Sequence, residues 1–318
     1  MLLTYVGALE AAIAAEMRLD PKVFHMGTIA PGPLLAEFGD ARVRRSPISE
    51  SAMSGMAVGA AASGWRPVVN LRATTFTFVA FDQLVNQAAK IRYMLGGQAD
   101  FPIVYRTFYI GGQRSAAQHS QSAYAMLAHV PGLKITAPSN PADAYGLLRA
   151  AIRDDNPVVH FEANRLDTMM GDVPEDLVVE LGSAATCRAG VDVTIVAIGS
   201  MVGPALDAAE TIARSEGASV EVIDPRTLVP LDVAAIRSSV QRTGRLVVAD
   251  ESPPACSMAA EIATVVVEDV ATFRALQAPV ARVCSAAVPV PFSPPLEDFV
   301  LPDADNVASA VRQVLAHG

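Results

Sequence analysis

The chain has 318 residues, 51% hydrophobic and 18% charged, with a formal net charge of −9. This composition supports large buried cores and excludes an extended disordered chain. A net-acidic chain without a concentrated Lys/Arg surface also argues against a nucleic-acid partner. The three cysteines, Cys187, Cys256 and Cys284, are widely spaced and form no CxxC pair. They point away from a disulfide framework or a zinc knuckle and towards a reducing cytoplasm. Met1–Tyr5 lacks a basic n-region, and no apolar run is long enough to span a bilayer, so neither a signal peptide nor a membrane segment is expected.

Strand-like and helix-like segments alternate from end to end, which predicts an α/β protein. Helical spacing covers 4–18, and a short strand follows at 23–26. Glu50 opens an Ala/Gly-rich helix over 50–64, succeeded by a strand at 67–71 and a long helical stretch at 80–95. A buried-type strand is read at 102–105. Asn140 as cap and Pro141 at the first helical position start a helix that runs to about Asp154. A strand at 157–161 returns. The pattern then breaks at 165–189, read as the linker. In the second half, strands are expected at 193–198, 220–223, 246–249 and 280–283, with helices at 203–216, 232–242, 257–272 and 304–316. Two α/β domains result, 1–180 and 190–318, both of ordinary domain size.

Two segments could carry chemistry. In Ser46-Pro47-Ile48-Ser49-Glu50 an acidic residue begins a helix rich in small residues, which let a ligand or another backbone approach closely. A capped helix, with Ser49 as N-cap and Glu50 complementing the dipole, explains the same residues. In Gln118-His119-Ser120-Gln121-Ser122, preceded by Gly111-Gly112-Gln113-Arg114, a polar loop after a buried strand carries a histidine suited to function, or a plain surface histidine. His25, His129 and His160 sit in apolar or strand contexts that suit structural imidazoles. No GxGxxG at a strand–helix junction, GxxxxGK[ST], HExxH or GxSxG is present, which argues against independent NAD binding, nucleotide hydrolysis, zinc hydrolysis and serine esterase chemistry.

At these residues the chain resembles the beta subunits of the decarboxylating component of pyruvate, branched-chain 2-oxo acid and acetoin dehydrogenases. The resemblance is carried by Pro47-Ile48-Ser49-Glu50, Gly64-Trp65-Arg66-Pro67-Val68, Phe81-Asp82-Gln83, the Gln118–Ser122 loop, His129-Val130-Pro131-Gly132, Asp154-Asp155-Asn156-Pro157, Asp224-Pro225-Arg226-Thr227-Leu228 and Val288-Pro289-Val290-Pro291-Phe292. These occur in the family's order over essentially the whole chain. The resemblance implies two three-layer domains, a transketolase-like pyrimidine-binding domain followed by a transketolase C-terminal domain. It also implies thiamine diphosphate as cofactor. The diphosphate and its Mg²⁺ would be held by a separate alpha subunit, because the Gly-Asp-Gly…Asn motif that grips them is absent here.

Glu50 then matches the carboxyl that hydrogen-bonds the cofactor's pyrimidine ring nitrogen. Phe76 aligns with an aromatic packed on that ring, although a core phenylalanine is an equal reading. His119 aligns with the active-site loop histidine that assists proton transfer or positions the 2-oxo acid. Asp154 and Asn156 match a region that binds a structural K⁺ in some relatives, and a solvated helix C-terminus is the alternative. The implied assembly is an α₂β₂ heterotetramer, with a second copy of this chain and a lipoyl transacylase core as further partners.

Two departures stand out. The family's Gly-Glu-Asp-Val is replaced by Gly27-Thr28-Ile29-Ala30, and its Tyr-Arg after Arg165-Leu166 by Asp167-Thr168. The expected activity is decarboxylation of a 2-oxo acid with acyl transfer to lipoyl. A specialised carboligase or non-lipoyl acyltransferase subunit, and a non-catalytic assembly subunit, are the alternatives.

Overall fold

The structure is a computed structural model that describes residues 1–109 and 111–317. The chain forms two units, Met1–Ile110 with Gln118–Leu181, and Gly111–Ala117 with Gly182–Gly318.

The first unit is built on parallel strands: β2 (Val23–Gly27), β3 (Val43–Arg45), β4 (Arg66–Ala73), β5 (Val104–Tyr109), β6 (Lys134–Thr136) and β7 (Val158–Ala163). Their order is β6-β7-β5-β4-β2-β3. Every residue of β7 is buried, as expected of a parallel strand covered on both faces. β1 (Leu2–Thr4) and β8 (Met170–Asp172) form a separate antiparallel ribbon, with Leu3 opposite Gly171.

Helices α1 (Tyr5–Leu19) and α7 (Pro141–Arg153) pack together on one face, where Leu9, Ile13, Met17, Leu148 and Ile152 meet Val68, Val104 and Val158. Each starts as its sequence dictates. The Thr4 hydroxyl accepts from Gly7 N at 3.1 Å, and the Asn140 side chain accepts from Asp143 N at 2.9 Å, ahead of Pro141. Glu16 of α1 clamps the pair by accepting from Arg149 at 2.7 Å and from Arg153 at 2.9 Å.

α2 (Gly32–Phe38), α3 (Glu50–Ala62), α4 (Ile91–Met94), α5 (Ala117–Ser120) and α6 (Tyr124–Ala128) complete the helices up to the strand edge. α3 lies against β5, where the Tyr105 hydroxyl donates to Ser54 O at 3.2 Å. The continuous helix expected over 80–95 is instead a π-helical segment, Gln83–Ala88, followed by the single turn of α4. Apolar periodicity does not separate i→i+5 from i→i+4 bonding, so the sequence hid the break. The strand expected at 102–105 begins two residues later, because the run after Pro102 extends to Tyr109. The stretch read as linker is structured at both ends: β8 pairs with β1, Val173 is fully buried in the first unit's core, and residues 185–188 form a strand of the second unit's sheet.

The second unit contains β9 (Ala185–Arg188), β10 (Val193–Ala197), α8 (Val202–Glu216), β11 (Val220–Asp224), β12 (Thr227–Val229), α9 (Val233–Thr243), β13 (Leu246–Asp250), α10 (Met258–Val267), α11 (Val270–Ala275), β14 (Ala281–Cys284), α12 (Pro294–Val300) and α13 (Ala304–Leu315). Its sheet has the order β14-β13-β10-β11-β9, parallel except for β9. Ala205, Ala208 and Ile212 of α8, with Val307, Val311 and Val314 of α13, cover Val193, Ile195, Val222 and Val247. The single helix expected at 257–272 is two, because Asp269 stops α10 and caps α11 through Thr272 N at 2.8 Å. The segment Gly111–Ala117 is fastened in this unit by Glu297, whose carboxylate accepts from Gly112 N and Arg114 N, both at 3.0 Å.

Candidate active site

The carboxyl ends of β4 and β5, the amino end of α3 and the loop before α6 meet in the first unit. Ligands of open α/β sheets bind at such strand ends. Ser46–Ser49 delivers α3. Ser49 holds the N-cap position, but its hydroxyl donates to Pro47 O at 3.1 Å and makes no cap bond. The capped-helix reading of this motif therefore lacks its cap.

Glu50, the first residue of α3, is only 7% exposed. Its carboxylate has no hydrogen bond or ion pair among the described residues. Among those residues nine carboxylates are buried: Glu16, Glu50, Asp143, Glu162, Glu221, Asp224, Asp250, Glu251 and Glu297. Each of the other eight is bonded. A largely buried carboxylate that no protein group engages is free to accept or donate to a ligand.

After β4 the chain enters a 3₁₀ turn, Thr74–Phe78, closed by the Thr77 hydroxyl donating to Thr74 O at 2.6 Å. Two bonds place this turn. Ser51 of α3 donates to Val79 O at 2.5 Å, and Thr75 Oγ1 donates to Gln118 O. They hold Glu50, the turn and α5 as neighbours; α5, a single helical turn where the sequence reading expects a loop, carries His119. Phe76 is half-buried, and its ring meets the exposed His119 imidazole edge-on, with centroids 5.3 Å apart and planes at 79°. The structure thus brings Glu50, Phe76 and His119 to one end of the sheet, at the carboxyl ends of its central strands.

Asp154 and Asn156 lie elsewhere, where α7 ends and β7 begins. The amino-terminal residue of β4, Arg66, donates there to Ile152 O at 3.1 Å and to Asp154 O at 3.2 Å. Asp154 pairs with Lys134 and also accepts from Asn156 N at 2.9 Å, while Asn156 Oδ1 accepts from Arg92 at 2.7 Å. Burial raises the Asp154 carboxyl, but the bonds from Lys134 and Asn156 outweigh it and hold the group below its ordinary range. Three cationic side chains therefore serve the oxygens at this corner. Among the described residues no group of three or more His, Cys, Asp and Glu is placed to hold a metal ion.

The remaining histidines divide. His25 and His160 are fully buried, and burial, then the nearby Arg106 charge, pushes both down to about 3. His160 Nδ1 lies 2.7 Å from Thr136 Oγ1. His129 is exposed at the end of α6, contrary to the structural role expected from its apolar context.

Sequence reasoning singled out neither Arg106 nor Arg72. Arg106 makes a two-pronged buried ion pair with Glu162, at 2.6 and 3.1 Å. Burial nevertheless wins over that pairing and raises the Glu162 carboxyl. Arg72, next to last in β4, has a left-handed backbone, φ +66°. The alternation of Val68-Val69-Asn70-Leu71-Arg72 carried no sign of this.

Among the described residues no helix is long and apolar enough to cross a membrane. Comparison with known proteins gives two family matches, the transketolase pyrimidine binding domain over residues 2–166 and the transketolase C-terminal domain over residues 182–307. A Bacillus subtilis (strain 168) protein named acetoin:2,6-dichlorophenolindophenol oxidoreductase subunit beta is 47% identical over 283 residues, covering 89% of this chain and 82% of the relative. A Rhizobium meliloti (strain 1021) pyruvate dehydrogenase E1 component subunit beta is 41% identical, covering 96% of this chain and 68% of that one. A Bacillus subtilis (strain 168) 2-oxoisovalerate dehydrogenase subunit beta is 37% identical, with 98% of each chain covered. Among solved structures, a split-gene transketolase described as an inactive beta4 tetramer shares the fold, with a TM-score of 0.82 at 23% identity over 99% of this chain and 98% of that one.

Proposed function

Because the chain belongs to the family of 2-oxo acid dehydrogenase E1 beta subunits, built from transketolase pyrimidine-binding and C-terminal domains, we propose that it forms half of a thiamine-diphosphate site. With a separate alpha subunit, that site decarboxylates a 2-oxo acid and passes the acyl group to a lipoyl acceptor. The observation that carries this reading is Glu50, the one buried carboxylate among the described residues with no partner. A hydrogen-bonding ring nitrogen is the group it lacks.

When bound, thiamine diphosphate supplies the electron sink for C–C cleavage, and the protein orients it. Glu50 would bind the pyrimidine ring nitrogen through its carboxyl group. Phe76 offers its ring as a packing surface for the pyrimidine. His119, exposed and braced against Phe76, moves a proton or orients the oxo acid at the mouth of the site. Mg²⁺ and the diphosphate fall to the alpha subunit, and the assembly is an α₂β₂ heterotetramer served by a lipoyl transacylase core in the cytoplasm. A K⁺ at Asp154 and Asn156 would share its corner with Lys134, Arg66 and Arg92. A melting temperature that rises with KCl but not with NaCl would establish it.

A second reading, thiamine-dependent cleavage of acetoin with a non-lipoyl acceptor, is favoured by the names of relatives at 47% and 44% identity. One assay separates the two. The chain is purified with and without its alpha partner, and CO₂ release from 2-oxo acids is measured with thiamine diphosphate, Mg²⁺ and an artificial electron acceptor. CO₂ released only by the mixture, and lost in Glu50→Gln, supports the first reading. Acceptor reduction by acetoin with no CO₂ from any oxo acid transfers the conclusion to the second.

A further inference from the structure

Arg72 sits at the carboxyl end of β4 with φ +66°, a conformation that residues bearing a Cβ rarely adopt and that clusters at functional sites. Two side chains hold it there. Asn70 Oδ1 accepts from Arg72 N at 2.9 Å, and Thr107 Oγ1 donates to Arg72 O at 3.0 Å. The same Thr107 hydroxyl lies 3.4 Å from Thr74 Oγ1, in the turn that carries Phe76.

The half-buried guanidinium lies over the Phe108 ring, 5.1 Å from its centroid. It makes no hydrogen bond or ion pair with any described residue. Glu162 feels its charge, yet both Glu162 oxygens are bonded by Arg106. A fixed guanidinium stacked on an aromatic ring, with its donors unused, is a site for a carboxylate.

Resting on the functional reading above, we propose that Arg72 is a specificity-determining residue that binds a carboxylate at the far end of the substrate, so that the preferred substrate class is a 2-oxo dicarboxylic acid. The carboxylate lost as CO₂ gives up its charge on the way to the transition state. A guanidinium there would stabilise the ground state more and slow the reaction. A distal carboxylate keeps its charge throughout, so its contact with Arg72 tightens binding without opposing cleavage. An uncharged substrate such as acetoin leaves Arg72 unused.

The test compares 2-oxoglutarate with 2-oxopentanoate, of equal chain length, on the reconstituted alpha–beta complex. Arg72→Gly removes the guanidinium while suiting the left-handed backbone, and so preserves folding. The intact complex is expected to favour 2-oxoglutarate in kcat/KM, chiefly through KM. Arg72→Gly should cut that preference roughly 10- to 100-fold, and Arg72→Lys less. Calorimetric titration of the same complex with succinate, and with butyrate as control, gives a readout free of turnover. Succinate binding lost in Arg72→Gly supports the proposal even if no 2-oxo acid is decarboxylated, an outcome that would sink the functional reading alone. A wild-type preference for 2-oxopentanoate, or succinate binding indifferent to Arg72, overturns it.

Discussion

The interiors of the two units differ in one buried carboxylate. In the second unit every buried carboxylate among the described residues is bonded. Asp250 accepts from Ser252 N at 2.9 Å and Ala259 N at 3.0 Å, Glu221 accepts from Arg242 at 2.7 Å, and Glu297 accepts from two backbone amides and Arg114. In the first unit Glu16, Asp143 and Glu162 are bonded as well, but among the described residues Glu50 is not, the Arg72 guanidinium is stacked on Phe108 without a hydrogen bond, and the buried Ser54 and Ser120 hydroxyls have no partner. Satisfied polar networks rigidify a core, whereas unsatisfied groups near strand ends mark where a fold gives up stability for binding. The second unit's buried carboxylates are completed by its own chain, whereas Glu50 of the first is bonded by no described residue.

Substitutions can break this contrast, and the largest effect is expected at Glu50. Glu50→Gln should lower activity of the assembled enzyme by roughly 10²- to 10⁴-fold. Its melting temperature should hold or rise, because the buried carboxylate had no partner to lose. A fall in melting temperature without loss of activity would erase the distinction.

Next in size is Arg106→Leu, which strands Glu162 and should cost about 3–5 kcal/mol in denaturant unfolding. Adding Glu162→Leu should recover most of it. Asp250→Ala, which orphans two backbone amides in the second unit, should cost roughly 2–4 kcal/mol with little change in cofactor affinity. A drop in affinity with unchanged stability would assign Asp250 to the site instead.

The smallest effect concerns Asp167. Burial, then the Glu162 charge, pushes its carboxyl up to about 6. A carboxyl raised in the folded state favours folding when protonated, and that advantage is lost as the pH rises from about 4 through 6. Asp167→Asn should therefore raise the melting temperature at pH 7.5, with the gain shrinking towards pH 4.

Much of this was legible beforehand, but unevenly. The α/β alternation, the Asn140–Pro141 helix start and the neighbourhood of Glu50 and His119 follow from composition, capping chemistry and family motifs. The π segment did not, since Leu84, Val85 and Ala88 are buried positions that either helix type would place in an apolar stripe. Nor did β8, whose Met170-Gly171-Asp172 has no strand character and forms only because β1 offers it an edge. Arg72 was invisible for a different reason. Its left-handed turn is imposed by Asn70 and by Thr107 from a neighbouring strand, and no local propensity records a partner that distant. His129 was misplaced because an apolar neighbourhood in sequence said nothing about which side of α6 its ring would take.

The two neutral imidazoles of the first sheet have a wider consequence. His25 and His160 share their surroundings with the buried Arg106 cation, and both resist protonation down to about 3. Unfolded, they would take up protons near pH 6.5, so acid pulls the equilibrium towards the open chain progressively from there to about pH 3. The weak point of this acidic protein in an acidifying medium thus lies in the dry middle of a sheet, where added salt screens little and surface-charge engineering does not reach.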